Sequence, residues 1–314
     1  MRVENPTLTG DGRAFRILQL TDFHADVSEY ENERTRADVR AMVARYRPHF
    51  LAVTGDIWCG DARPETAGMW MTRELDFLAS LETPWAFTWG NHDYATDFAR
   101  AQARICATPG YAAPESTPRG ECHLEVRGAS GETAWDLLFV NSRDKWRLPG
   151  DLAWLLSQSR ALAETRKRVL PAIVFFHIPL MRYQRAIDAG RVHGIAMEEV
   201  LAWGDEGDTG ADLILSAANV RACFCGHSHR NDCWFEEDGV VFAYGRSTGY
   251  GGYGDDVRKG AKLITLDLAG GDFRFETVFG DGSAPEPGCC HAFPFRDRCY
   301  TEGDGYPMDQ QDQR

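Results

Sequence analysis

FRILQLTDFH, residues 15–24, is a short run built on Phe15, Ile17, Leu18 and Leu20 that ends in Asp22 and His24. The run is too short for a helix and predicts a buried strand over residues 15–21. The pattern recurs as FLAVTGD (50–56), WAFTWGNHD (85–93), AIVFFH (172–177) and VRACFCGHSH (220–229). Each is an apolar segment closed by Asp, Asn or His. Amphipathic stretches at residues 31–46 and 66–81 predict helices between the first three strands, and residues 96–106 predict another. This βαβαβ rhythm implies a layered α/β core with parallel strands. In such sheets, ligand-binding side chains gather beyond the carboxyl ends of the strands. The five polar clusters are therefore expected to meet in one crevice.

The residue types in those clusters suit a metal. Asp supplies charged oxygen, His neutral nitrogen and Asn a carbonyl oxygen, a mixture that fits divalent Mn, Fe, Zn, Ni or Co. No cysteine stands among them, which argues against a closed structural zinc site. Asp22 and His24 are two residues apart, as are His227 and His229, so in a continuing strand each pair would face one side. Asp22, His24, Asp56, Asn91, His177, His227 and His229 are seven candidate ligands, more than one tetrahedral ion needs, so two ions are the simpler reading.

In order along the chain the clusters read D-x-H, G-D, G-N-H-D, H and G-H-x-H. Together they resemble the motif set of the calcineurin-like metallophosphoesterase superfamily, over about residues 17–264. The run Phe175-Phe176-His177-Ile178-Pro179, residues 226–232 and the Gly-rich residues 245–254 are most similar to a purple-acid-phosphatase-like subgroup. The resemblance implies a four-layer α/β/β/α sandwich of two mixed β-sheets flanked by helices. It implies that Asp22, His24, Asp56 and His229 hold one divalent ion, and that Asp56 bridges to a second held by Asn91, His177 and His227. A metal-bridging hydroxide would then hydrolyse a phosphomonoester or phosphodiester. His92 would face the substrate and protonate the leaving oxygen, Asp93 would orient His92, and Asn91 would help stabilise charge on the phosphoryl group. One departure stands out. Asp56 is followed by Ile57, Trp58 and Cys59, with no tyrosine where purple acid phosphatases carry a tyrosinate ligand, so neither a tyrosinate-to-iron colour nor an obligatory ferric ion is expected. The alternative is a non-catalytic metal-binding scaffold of the same fold. Such proteins are expected to lose motif positions, and this chain keeps them.

The remaining chain alternates less regularly. Strands are expected at residues 122–126, 135–141, 234–237, 240–244, 262–267 and 274–279, and a helix at 151–166, with helical segments between 176 and 220. Glu236, Glu237 and Asp238 ahead of Gly239 predict a hairpin turn. The expected organisation is a metallophosphoesterase domain over residues 1–280 and a polar C-terminal tail over 281–314. With 43% hydrophobic residues the chain can bury a sizeable core. A net charge of −13 argues against general nucleic-acid binding and against anionic membranes. It does not exclude the small phosphorylated substrate that the resemblance implies as partner, because local metal cations can reverse the sign of a pocket. No apolar run approaches the roughly 20 residues of a membrane helix. The polar start, without a secretory pattern, makes the cytoplasm the expected compartment.

Several features have competing readings. The nine cysteines do not form a disulfide pattern, and Cys223 and Cys225 read as small hydrophobes. Cys289, Cys290, His291 and Cys299 suit a zinc site or an oxidised staple, but none of the usual paired spacings is present. Residues 249–254 spell GYGGYG, a literal GxGxxG, yet a strand-like segment follows where a dinucleotide site needs a helix. A turn or lid beside the site, with Tyr250 or Tyr253 stacking on substrate, and a β-turn with buried tyrosines remain as readings. His193 falls where substrate-facing loops are expected, and His49 reads as a loop residue. Arg143, Lys145 and Arg147 make a basic patch open to an anion or simply solvated.

Overall fold

A computed structural model describes residues 7–10, 12–26, 28–59, 64–113 and 116–293. The opening motif forms β2 (Ala14–Leu20), whose C-terminal four residues are all buried. It is followed by α1 (Glu29–Tyr46), begun by the Ser28 side chain accepting from the Glu31 N–H at 3.4 Å. β3 (Phe50–Val53), α2 (Ala67–Ser80), β4 (Trp85–Phe87) and α3 (Phe98–Cys106) complete the expected βαβαβ unit. β2, β3 and β4 pair in parallel.

The second half supplies a separate sheet. β1 (Thr7–Thr9), β5 (Cys122–Arg127), β6 (Thr133–Phe139), β7 (Ala172–Phe175), β8 (His193–Ile195), β9 (Val220–Cys225), β10 (Asp232–Glu237) and β11 (Val240–Tyr244) form eight strands in the order β1-β5-β6-β7-β9-β11-β10-β8. β12 (Ala261–Asp267), β13 (Phe273–Val278) and β14 (Cys290–Phe293) return to the first sheet, which orders as β14-β13-β12-β2-β3-β4. Both sheets are mixed. β6, β7, β9 and β11 run parallel, whereas β12 pairs antiparallel with β2 and β13.

Alternation along the strands sets the layers. On β6, Leu137 enters the apolar core between the sheets while Leu138 enters a second core. The inter-sheet core includes Phe50 edge-on to Phe139 (6.2 Å) and Phe224 edge-on to Phe275 (5.5 Å). The second core packs α4 (Gly150–Arg166), α5 (Met181–Asp188) and α6 (Gly210–Ser216) on the outer face of the eight-stranded sheet. α1 and α2 add Val39, Met42, Leu75 and Leu78 to the core around the six-stranded sheet. The result is the expected α/β/β/α sandwich.

β1, β8 and β14 escaped the sequence reading because each has three or four residues and lies at a sheet end, where pairing rather than patterning creates a strand. β14 matters for the expected tail, since its pairing with β13 ties the chain to the sheet beyond residue 280, as far as Phe293. Residues 294–314, including Cys299, and the side chains of Cys290 and His291 lie outside the described part. Cys289 is buried, with its Sγ 3.5 Å from the Asp232 carbonyl oxygen. The hairpin at Asp238-Gly239 has positive φ at both residues (48° and 75°), the geometry of a type I′ turn.

Candidate metal centre

The strand ends deliver the polar clusters to one place, but not through the strand pleat. β2 stops at Leu20, and Asp22 and His24 have φ of 58° and 52°, in the left-handed region, as do Asp56 (53°) and His227 (76°). Left-handed backbone at non-glycine residues carries strain, which tertiary contacts here hold in place. The Asp22 N–H donates to the Gly55 carbonyl (3.0 Å) and the His24 N–H to that of Asp56 (2.9 Å). The first two motif loops thus form a short backbone ladder that aims their side chains inward. Gly90 is required by space, because a Cβ there would lie 2.1 Å from Asp56 Oδ1.

Two donor groups result. Single ligand atoms of Asp22, His24 and His229 all lie within 4.8 Å of one another, and the same holds for Asp56, His177 and His227. Asp56 Oδ2 faces both sets, 3.5 Å from His24 Nε2 and 3.1 Å from His177 Nε2. Asn91 Oδ1 is 3.1 Å from His177 Nε2. Carbonyl oxygens dictate tautomers, since they only accept. His177 Nδ1 donates to Thr54 O (2.8 Å) and His229 Nδ1 to Tyr253 O (2.8 Å). Each Nε2 is thereby turned toward the donor group, an arrangement typical of metal-binding histidines.

The electrostatics favour ligands ready for a cation. Burial works to raise Asp22, but the His229 hydrogen bond and charge hold it at about 2. Asp56 is likewise opposed by burial and held well below the usual carboxylate range by His177. Burial pushes His24 down to about 3 against the charge of Asp56, and burial with the His177 charge takes His227 down to about 4. His177 moves the other way. Burial disfavours its charge, yet Asp56 raises it to about 9. One further observation tests the fit. His227 Nε2 is buried and has no hydrogen-bond partner, while Trp203 stands edge-on to the ring at 4.8 Å. A lone pair so placed is costly without a partner, and a cation would satisfy it.

The remaining motif residues surround these donors. The His92 N–H donates to Asp56 Oδ1 (2.8 Å), and its ring lies 5.0 Å from that of His24. Asp93, expected to orient His92, is occupied with the backbone. Its Oδ2 accepts from the N–H groups of Asp56 and Gly90 (both 2.7 Å), and its Oδ1 from Ile57 (2.8 Å) and Trp58 (3.3 Å). It therefore pins the second motif loop to the third. Burial and the Asp56 charge push its carboxyl up to about 7.

Outside the motifs, Tyr253 stacks on His229 at 4.0 Å and donates its hydroxyl to Glu198 (2.8 Å), with half of its surface exposed. Tyr250 instead bonds Asp38 (2.7 Å), so only one of the two tyrosines contacts a candidate ligand. Residues 249–254 include no helix, and Gly252 packs against the imidazoles of His24 and His229. His193, in β8, stacks on Trp234 of β10, and His49 accepts from the Arg16 N–H. Arg143 lies 5.5 Å from the centroid of Trp89, beside the G-N-H-D turn. The sequence reading missed Trp203, Thr54 and the Thr21 hydroxyl, which donates to Asp22 (2.8 Å). The two threonines carry a usable signal, since each directly follows a strand and immediately precedes a motif. Trp203 carries none, being distant from His227 in the chain.

Comparison with known proteins agrees with this geometry. Residues 15–231 match the calcineurin-like phosphoesterase family. The chain is 26% identical to a protein of Arabidopsis thaliana named probable inactive purple acid phosphatase 28, over 85% of this chain and 79% of the relative. It is 24% identical to phosphatase DCR2 of Saccharomyces cerevisiae, over 73% of this chain and 46% of that protein. A dimetal phosphatase from Danio rerio shares the fold, with a TM-score of 0.61 and 13% identity over 90% of this chain and all of that one (100%).

Proposed function

We propose, from the premise that the chain belongs to the calcineurin-like phosphoesterase family, that it hydrolyses a small phosphate ester with two divalent ions. The observation that carries this is the pair of donor groups meeting at Asp56 Oδ2, with the His92 backbone tied to the same carboxylate. Asp22, His24, Asp56 and His229 would hold one ion; Asp56, Asn91, His177 and His227 would hold the other. Bound divalent ions supply a water with a pKa lowered to about 7 and positive charge for the phosphoryl oxygens.

The protein's own contribution is placement. His92 would donate a proton or hydrogen bond to the phosphoryl or leaving oxygen. Asp93 keeps His92 and Asp56 in register by gripping the backbone of both loops. Asn91 would present its carbonyl oxygen to the ion and its amide to a phosphoryl oxygen. The acidic net charge of −13 favours a small substrate reached through local cations over a polyanionic polymer.

A second reading, a metal-binding scaffold without turnover, draws support from the relative named as inactive. Against it stands the retention of every donor and of His92. The deciding experiment is hydrolysis of p-nitrophenyl phosphate and bis-p-nitrophenyl phosphate by metal-stripped protein, with Mn, Fe(II), Zn, Ni or Mg restored singly. Metal-dependent release is expected, and the ratio of the two rates separates monoesterase from diesterase. His92→Ala should lower kcat by about 10²–10⁴-fold, the usual worth of a general acid, with metal content unchanged. No turnover of any phosphate ester by metal-loaded protein would favour the scaffold.

A further inference from the structure

Cys59 has no role in the site described above, yet its position is tightly set. The Ala25 N–H donates to the Ile57 carbonyl and the Cys59 N–H to the Ala25 carbonyl, both at 3.0 Å. Trp58, fully buried, bridges to Ala25 and donates its indole N–H to Tyr94 O (3.0 Å). The ladder that places His24 beside Asp56 thus continues to Cys59. Its Sγ and one ring nitrogen each of His24 and His92 all lie within 4.8 Å of one another. Among the cysteines whose side chains are described, Cys59 and Cys106 are half-buried, whereas Cys122, Cys223, Cys225, Cys233 and Cys289 are buried.

Distances decide whether sulfur can reach the ion that His24 would hold. A zinc–sulfur bond is about 2.3 Å and a zinc–nitrogen bond about 2.1 Å. Two such donors lie about 3.6 Å apart at a tetrahedral angle and at most about 4.4 Å when opposed. The separations in the cluster of Cys59, His24 and His92 are bounded at 4.8 Å, just above that range, so the donors would have to draw together around an ion. We propose that Cys59 is an additional sulfur ligand to the ion held by His24, which biases the centre toward thiophilic ions such as Zn or Co over Mg or Mn. On ligation the thiol proton passes to solvent and the sulfur lone pair forms the metal bond. The proposal rests on the metal-centre reading above.

The test uses the full chain loaded with Co(II), with no activity readout required. A thiolate-to-cobalt charge-transfer band is expected in the wild type and should vanish in Cys59→Ser and Cys59→Ala, with cobalt per chain unchanged by elemental analysis. In the wild type, iodoacetamide labelling of Cys59, followed by peptide mass spectrometry, should slow on metal loading. This arm needs no variant to fold. A band retained in the variants, or Cys59 labelled equally with and without bound cobalt, overturns the proposal and leaves the metal centre intact. Absence of cobalt binding to the wild type overturns both.

Discussion

At the scale of single residues, Asp56 and His177 carry the most direct prediction. His177 is raised from 6.5 to about 9, because the charge and hydrogen bond of Asp56 outweigh burial. Without a cation, the stabilisation this pair gives the fold is complete below about pH 6.5 and is lost as pH rises through about 9. A metal ion requires neutral imidazole, so it must displace that proton. Zinc affinity should therefore rise with pH up to about 9 and level off above it. Calorimetric titrations in buffers of different ionisation enthalpy should show proton release at pH 7 that fades by pH 10; an equal release at both would refute the pairing. The identities of these residues were legible in the chain, as Asp and His closing apolar runs. The left-handed backbone of Asp22, His24, Asp56 and His227 was not, because neither Asp nor His is a type that demands positive φ.

At the scale of elements, the Gly-rich segment 249–254 shows what a motif match omits. The pattern fits a dinucleotide loop, but the glycines answer to steric contact. A Cβ on Gly252 would lie 2.4 Å from His229 Cε1 and 3.0 Å from His24 Cδ2. Gly252→Ala should displace two candidate ligands without altering either one. We expect metal affinity to fall by about 10–100-fold, the usual cost of disturbing the groups that support ligands. Chelator competition measures it, and affinity equal to the wild type would mean that the segment gives way freely. The long helices and buried strands were readable because periodicity and burial coincide in them. β8 and β14 were not, since a short end strand exists only through the partner that hydrogen-bonds to it.

For the whole molecule, the two sheets are joined by charge as well as by apolar packing. Asp232 on β10 is bound by Lys262 on β12 and by Arg246 (3.3 Å), and Thr277 on β13 donates to it at 2.9 Å. Lys262 also donates to Thr277 (2.8 Å), and each of these side chains is 0–1% exposed. Buried ions of this kind contribute little net stability when paired, but breaking the pairing is expensive. Asp232→Ala should therefore destabilise the fold by about 3–5 kcal/mol, the cost of leaving a buried cation uncompensated. Adding Lys262→Met should recover part of that loss. Urea unfolding measures both, and an Asp232→Ala change below about 1 kcal/mol, the level of a surface pair, would show that solvent reaches the network.

The chain by itself determined the alternation of strands and helices, the five strand-end clusters and the residue types suited to a divalent metal. These are local properties, written in hydrophobic period and side-chain chemistry. Only the tertiary structure decided that His227 Nε2 stands buried without a partner, that Asp93 grips backbone, and that Cys59 and Tyr253 border the ligands. Each of these depends on segments far apart in sequence, and their approach is set by the packing of two sheets that no local pattern encodes.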